Sequence, residues 1–273
     1  MNNLKHNNTF IIPKEYKEIE VATNEFNSLL QEYCSIDDIN YSNRISFMNE
    51  FINPFVKVNL KRININRIDI ELLYNYFHDK VHEQRHSKDK TCDFVLGWFL
   101  SHLKATPRNT EILNRPHHYD NRTLLQEICY WMCFKSFVMD CLLKKHQLEY
   151  HHSGSLVNAS DINVDSTING NHIKVKNGHN CLFLAFKSLV MFNKNENICT
   201  QISSKIISLL NHLVEKNEPL LPFLIENNEK GESVYSFLHS SSLQDFFKTQ
   251  TGQDILDIIE LHAPEILLYD NFK

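Results

Sequence analysis

The chain has 273 residues, a formal net charge of -5, 42% hydrophobic residues and 22% charged residues. That length suits one large domain or two modest ones and can bury a sizeable core without staples. The acidic balance, with no concentrated basic run, argues against nucleic acid as the main partner, and no apolar stretch reaches the ~18 residues that a membrane span needs.

The N-terminus, MNNLKHNNTF, lacks the apolar core of a signal peptide. Seven cysteines, an odd number set mostly in apolar helical patterns, favour reduced buried thiols and a cytoplasmic character over a disulfide framework. Only six glycines disfavour glycine-rich nucleotide loops. No cofactor motif is present: there is no P-loop, dinucleotide fingerprint or zinc-protease string.

Residues 1–14 read as a flexible N-terminus. From Pro13 the apolar spacing becomes helical, and residues 15–85 form a predicted helical N-terminal region. Phe26, Leu29, Leu30 and Tyr33 mark a first helix, with a break at Asp37 and Asp38. Ile45, Met48, Phe51 and Ile52 mark a second, with Pro54 near its end. Asp69 caps a third, whose apolar face is Leu72, Leu73, Tyr76, Phe77 and Val81. His78, His82 and His86 recur every fourth residue, as zinc ligands on one helix face can. With no partner ligand set in view, a solvated face is the preferred reading and no metal is expected.

Residues 86–250 carry an internal repeat. Each segment has a turn-prone residue, a capping residue two positions later, then an apolar helix. The starts are Asp89…Thr91, Asn121…Thr123, Gly178…Asn180 and Gly231…Ser233. Thr, Asn and Ser are good N-caps because a side-chain oxygen satisfies an orphan helix N–H. Glycine takes positive φ without steric cost. A second helix follows in the better units, at Ser136–Lys145, Gln201–Glu215 and Leu243–Phe247. The interval from Asp89 to Asn121 is 32 positions; the next two are 57 and 53. Insertions are therefore expected near His151–Asn171, read as a long polar loop, and near Asn193–Cys199.

These segments resemble ankyrin repeats, whose first helix carries glycine, threonine two later, then leucine, histidine and alanine. Gly178, Asn180, Leu182, Phe183 and Ala185 stand in that register. So do Asn121, Thr123, Leu125, Gln126 and Ile128, and Gly231, Ser233, Tyr235, Ser236 and Leu238. No unit has the family's histidine, so its hydrogen bonds between hairpins do not carry over. The resemblance implies an all-α fold of ankyrin-like stacked helix pairs, with residues 251–273 as a C-terminal capping helix and tail.

It also implies a protein-protein interaction module that binds a partner protein through hairpin tips and first helices. The partner-binding residues expected on that surface are Arg115, His117, His118, Tyr119, Arg122, His172, Lys174, Lys176, Asn227, Asn228 and Lys230. With Asn/Ile/Lys-rich usage, the chain looks like ankyrin-type effectors that intracellular bacteria secrete into a host cell cytosol, as type IV secretion does. The tail Glu265–Lys273 would then suit a translocation signal.

The alternative function is a cysteine hydrolase. Asn180-Cys181-Leu182-Phe183 resembles the nucleophile segment of ovarian-tumour-type deubiquitinases, which implies catalysis by Cys181. Gly178 is one residue too far from the cysteine, the family's Asp is missing, and the late Leu268–Phe272 string has no histidine. A buried structural cysteine is the plainer reading. Cys129 and Cys133 lack the Cys-x-x-Cys redox spacing and read as core.

Overall fold

The computed structural model describes residues 14–37, 40–83, 91–116, 122–130, 136–146, 163–168, 171–176, 180–226 and 231–267. Its fold is all-α, with a single small antiparallel ribbon among the described residues. The chain divides into two units, 1–76 and 77–273.

In the first unit, α1 (Lys14–Ser35) buries Phe26, Leu30 and Tyr33 on one stripe, as the spacing predicts. Phe26 stacks on Phe55 at 6.3 Å and meets Tyr76 edge-on at 6.3 Å. Helix α2 (Tyr41–Phe47) leads through a π-type turn, Met48–Ile52, into α3 (Asn53–Asn59). Pro54 was expected near a helix end; instead the helix passes through it. Proline has no N–H to donate. The wider turn bonds the N–H of Asn53 to the carbonyl of Met48, five residues back, just before the proline. Asp69 caps α4 (Ile70–Glu83) as expected: its carboxylate accepts the Glu71 N–H at 2.9 Å.

The second unit begins within α4. It continues with α5 (Thr91–His102), α6 (Pro107–Leu113), α7 (Leu124–Tyr130) and α8 (Ser136–Asp140), whose end widens into a π-type turn, Cys141–Lys145. Then come β1 (Asn163–Ile168), β2 (Asn171–Lys176), α9 (Cys181–Phe192) and α10 (Glu196–Glu215). The chain closes with α11 (Leu220–Ile225), α12 (Val234–Leu238), α13 (Gln244–Phe247) and α14 (Gln250–His262).

Packing makes two rows. Helix α9 lies against α7 and α12; helix α10 lies against α8 and α14; α9 and α10 pack on each other. Both central helices are rich in buried apolar side chains, among them Leu182, Phe186, Leu189, Ile202, Ile206 and Leu210. Lys205 of α10 is also fully buried, and its ammonium donates to the Ile128 carbonyl at 2.9 Å. That bond fastens the second row to the end of α7.

Several expectations need correction. The stretch 151–171 is not wholly loop. Residues 163–168 and 171–176 pair as antiparallel strands, with Ile168 opposite Asn171 and Asn163 opposite Lys176. The Asn-Gly pair at 169–170 is the strongest short hairpin signal a sequence carries. The expected insertion at Asn193–Cys199 is largely helix: Asn195 caps α10 by accepting from the Ile198 N–H at 3.3 Å, so the helix starts at Glu196. The helix of the last unit that packs on α10 is α14, expected to be an end cap, whereas 243–247 holds one short turn. Gly252 permits this junction, since a Cβ there would lie 2.3 Å from the Phe246 carbonyl oxygen. His78 is not on a solvated face; it is buried, with Nε2 3.4 Å from the Arg122 carbonyl. The side chain of His82, and all of His86, lie outside the described residues.

Candidate protein-binding surface

The row α7, α9, α12 is built from three helix starts of one design. Thr123 accepts from the Gln126 N–H at 3.2 Å, Asn180 from the Phe183 N–H at 2.7 Å, and Ser233 from the Ser236 N–H at 3.2 Å. All three caps match the sequence reading. Gly231 has φ +73°, the left-handed conformation expected two residues before the cap. Thr91 begins α5, but its side chain, like Asn121 and Gly178 entirely, lies outside the described residues.

The position three after the cap has a further role that the sequence reading missed. Gln126 accepts from the Thr123 N–H at 3.0 Å, and Ser236 accepts from the Ser233 N–H at 2.9 Å. Each is a reciprocal capping box. Phe183 cannot reciprocate. There Asn180 instead donates to the Phe223 carbonyl at 3.2 Å and to a Glu226 carboxylate oxygen at 3.3 Å, tying α9 to α11.

Seven residues after the cap, Tyr130 and Lys187 stand at equivalent positions, and both are half-buried. Tyr130 donates to the thioether of Met191 at 3.6 Å across the α7–α9 boundary. Met191 is 52% exposed. Lys187 pairs with Glu232 at 3.8 Å and lies 5.7 Å from the centre of the Phe183 ring. Tyr130 with Met191 and Lys187 with Glu232 thus make two side-chain contacts along α7, α9 and the start of α12. The sequence signal for Tyr130 and Lys187 was their shared offset from the cap.

The expected partner-binding residues fare unevenly. Arg115 is exposed at the end of α6 and pairs with Glu111 at 3.2 Å. Arg122 is half-buried and engaged within the fold. Its guanidinium meets the fully buried Glu127 at 3.1 Å and lies 4.5 Å from the Tyr130 ring centre, with less than a quarter of its side chain exposed. A buried carboxylate needs such a partner, which is why this arginine faces inward. His172, Lys174 and Lys176 alternate along β2, opposite Thr167, Asp165 and Asn163, and their side chains are outside the described residues. His117, His118, Tyr119, Asn227, Asn228 and Lys230 lie outside the described residues altogether.

Cys181 is fully buried as the first residue of α9. Burial, reinforced by contact with the equally buried Cys129, pushes its thiol well above the ordinary range. A nucleophilic cysteine needs a lowered pKa and access to substrate; this geometry supplies neither. Among the described residues no group of three or more His, Cys, Asp or Glu side chains converges to hold a metal ion, and no helix is long and apolar enough to cross a membrane. No family model, curated protein or solved structure matches this chain.

Proposed function

We propose that the chain is a protein-binding module of the ankyrin type, which meets its partner through the first-helix row and the hairpin before α9. The observation carrying this reading is the adjacency of three helices, α7, α9 and α12, each begun by a side-chain cap that accepts from the N–H three residues on. Repetition of one helix start sets equivalent side chains side by side. Such rows give repeat proteins their extended binding surfaces. Tyr130 and Met191 are adaptable, amphipathic contact groups of the kind enriched at interfaces. The ribbon of 163–168 and 171–176 precedes α9 in the sequence where the family resemblance implies a projecting tip.

The setting in which we propose it works is a host cell cytosol, as a secreted bacterial effector. Asn/Ile/Lys-rich usage and free cysteines at Cys34, Cys129, Cys141, Cys181 and Cys199 support that setting. Affinity capture from host-cell lysate tests the reading when wild type is compared with Lys187→Glu/Met191→Ala. A host protein should be enriched by wild type and lost with the variant at unchanged stability. Equal capture by both refutes the surface. The hydrolase reading has no comparable support, because Cys181 is buried beside Cys129 with its thiol held protonated.

A further inference from the structure

The two-row unit has a second exposed face, on α5 and α8. The two helices close together at Gly97, where a Cβ would lie 2.8 Å from the Phe137 ring. One turn earlier on α5, Phe94 is 63% exposed, and Phe137 itself is 55% exposed. Four residues after Phe94, half-buried Trp98 extends the same stripe and stacks on His102, ring centres 4.2 Å apart. Large aromatic side chains rarely stay in water without a use when they cluster.

This face has a direction. Gly97 meets Phe137, while further along both helices the Lys145 ammonium donates to the Ser101 carbonyl. The aromatic end therefore leads to a basic end, where Lys104, Lys144 and Lys145 are all exposed. Across 91–104 and 136–146 the formal charges are these three lysines against Asp93 and Asp140, a net of +1 within a chain of -5, with the lysines gathered at one end. Asp140 is itself engaged by the Ser208 hydroxyl at 2.6 Å and by Lys144 at 3.9 Å.

We infer that the α5–α8 face docks a short acidic segment of another protein, with an apolar anchor at its Phe94–Phe137 end and carboxylates at its lysine end. Aromatic anchors in the centre supply affinity, and rim charges steer and orient. The inference uses none of Tyr130, Lys187 and Met191, so it and the proposed function can fail separately.

The probe is a phage-displayed library of short random peptides, panned on the full chain, with the winners remeasured by fluorescence anisotropy. Winners should combine an aromatic or leucine anchor with an excess of Asp and Glu. Phe94→Ser should weaken them about tenfold, a hot-spot loss. Lys104→Gln/Lys144→Gln should weaken them less and flatten the dependence on salt. Phe94 is exposed, so Phe94→Ser should keep the wild-type circular dichroism and melting temperature; the lysine variant provides an independent reading. Winners without acidic excess, or wild-type affinity in both variants, would overturn the inference. So would Phe94-dependent sedimentation with phosphatidylserine vesicles in the absence of peptide winners, which would make the face a membrane contact.

Discussion

Replacing Arg122 with alanine isolates the ion pair at the start of α7. The guanidinium lies 3.1 Å from a Glu127 carboxylate that is 0% exposed, and it also covers the Tyr130 ring. Removing one partner of a buried pair leaves the other charge in a poor solvent, which costs about 3–5 kcal/mol. Arg122 keeps some solvent contact, so the lower end, about 3 kcal/mol, is expected. In a unit of this size each kcal/mol moves the melting temperature by about 2–4 °C. Arg122→Ala should therefore melt about 6–12 °C lower. The double variant Arg122→Ala/Glu127→Gln should recover a large part of the loss, because the buried carboxylate charge is gone. Urea unfolding followed by circular dichroism measures each corner of the cycle. A single variant within about 0.5 kcal/mol of wild type would refute the reasoning, and would return Arg122 to the surface role its sequence position implied.

The cap of α9 makes a second test. Asn180→Ala removes the acceptor for Phe183 and the donors to Phe223 and Glu226, for about 2 kcal/mol in urea unfolding. Asn180→Ser keeps the cap and should recover about half; an alanine variant as stable as wild type would dismiss both contributions. Acid supplies a third. Burial holds His146 and His212 below their ordinary value of 6.5. The unfolded chain takes up these protons near 6.5 and the folded chain only at lower pH. Between those values the unfolded state holds more protons, so stability rises with pH and is lost as pH falls below 6.5. Urea midpoints compared above and below 6.5 should show this slope, and His212→Gln should reduce it; a midpoint indifferent to pH in wild type would sink the claim.

Local physics was the most legible part of this sequence. Asp69, Thr123, Asn180 and Ser233 cap helices because each capping bond closes within three residues, and a short window contains the whole cause. The stripes of α1 and α4 were legible for the same reason. What escaped was decided over distance. The inward turn of Arg122 depends on Glu127 being sealed by neighbouring helices. The pairing of α10 with α14 rather than with 243–247 depends on how 247–252 bends, which rests on the missing Cβ of Gly252. Helix α6 was missed although Thr106-Pro107 is a capping residue followed by proline at the first helical position. The surface of Tyr130, Lys187 and Met191 was visible only once offsets were counted from the caps instead of from the loops.

Reciprocal capping makes pairs of residues, not single residues, the unit on which selection acts. Thr123 with Gln126 and Ser233 with Ser236 exchange the same two hydrogen bonds through different side chains. Either member replaced by an apolar residue strands a backbone N–H; a joint change to another reciprocating pair keeps both bonds. A lineage can therefore replace the residues of each helix start by coupled steps and retain its geometry. Position by position such a sequence drifts away from any consensus. At such starts the cap and its third neighbour should vary together in related chains, as they do between Thr123/Gln126 and Ser233/Ser236.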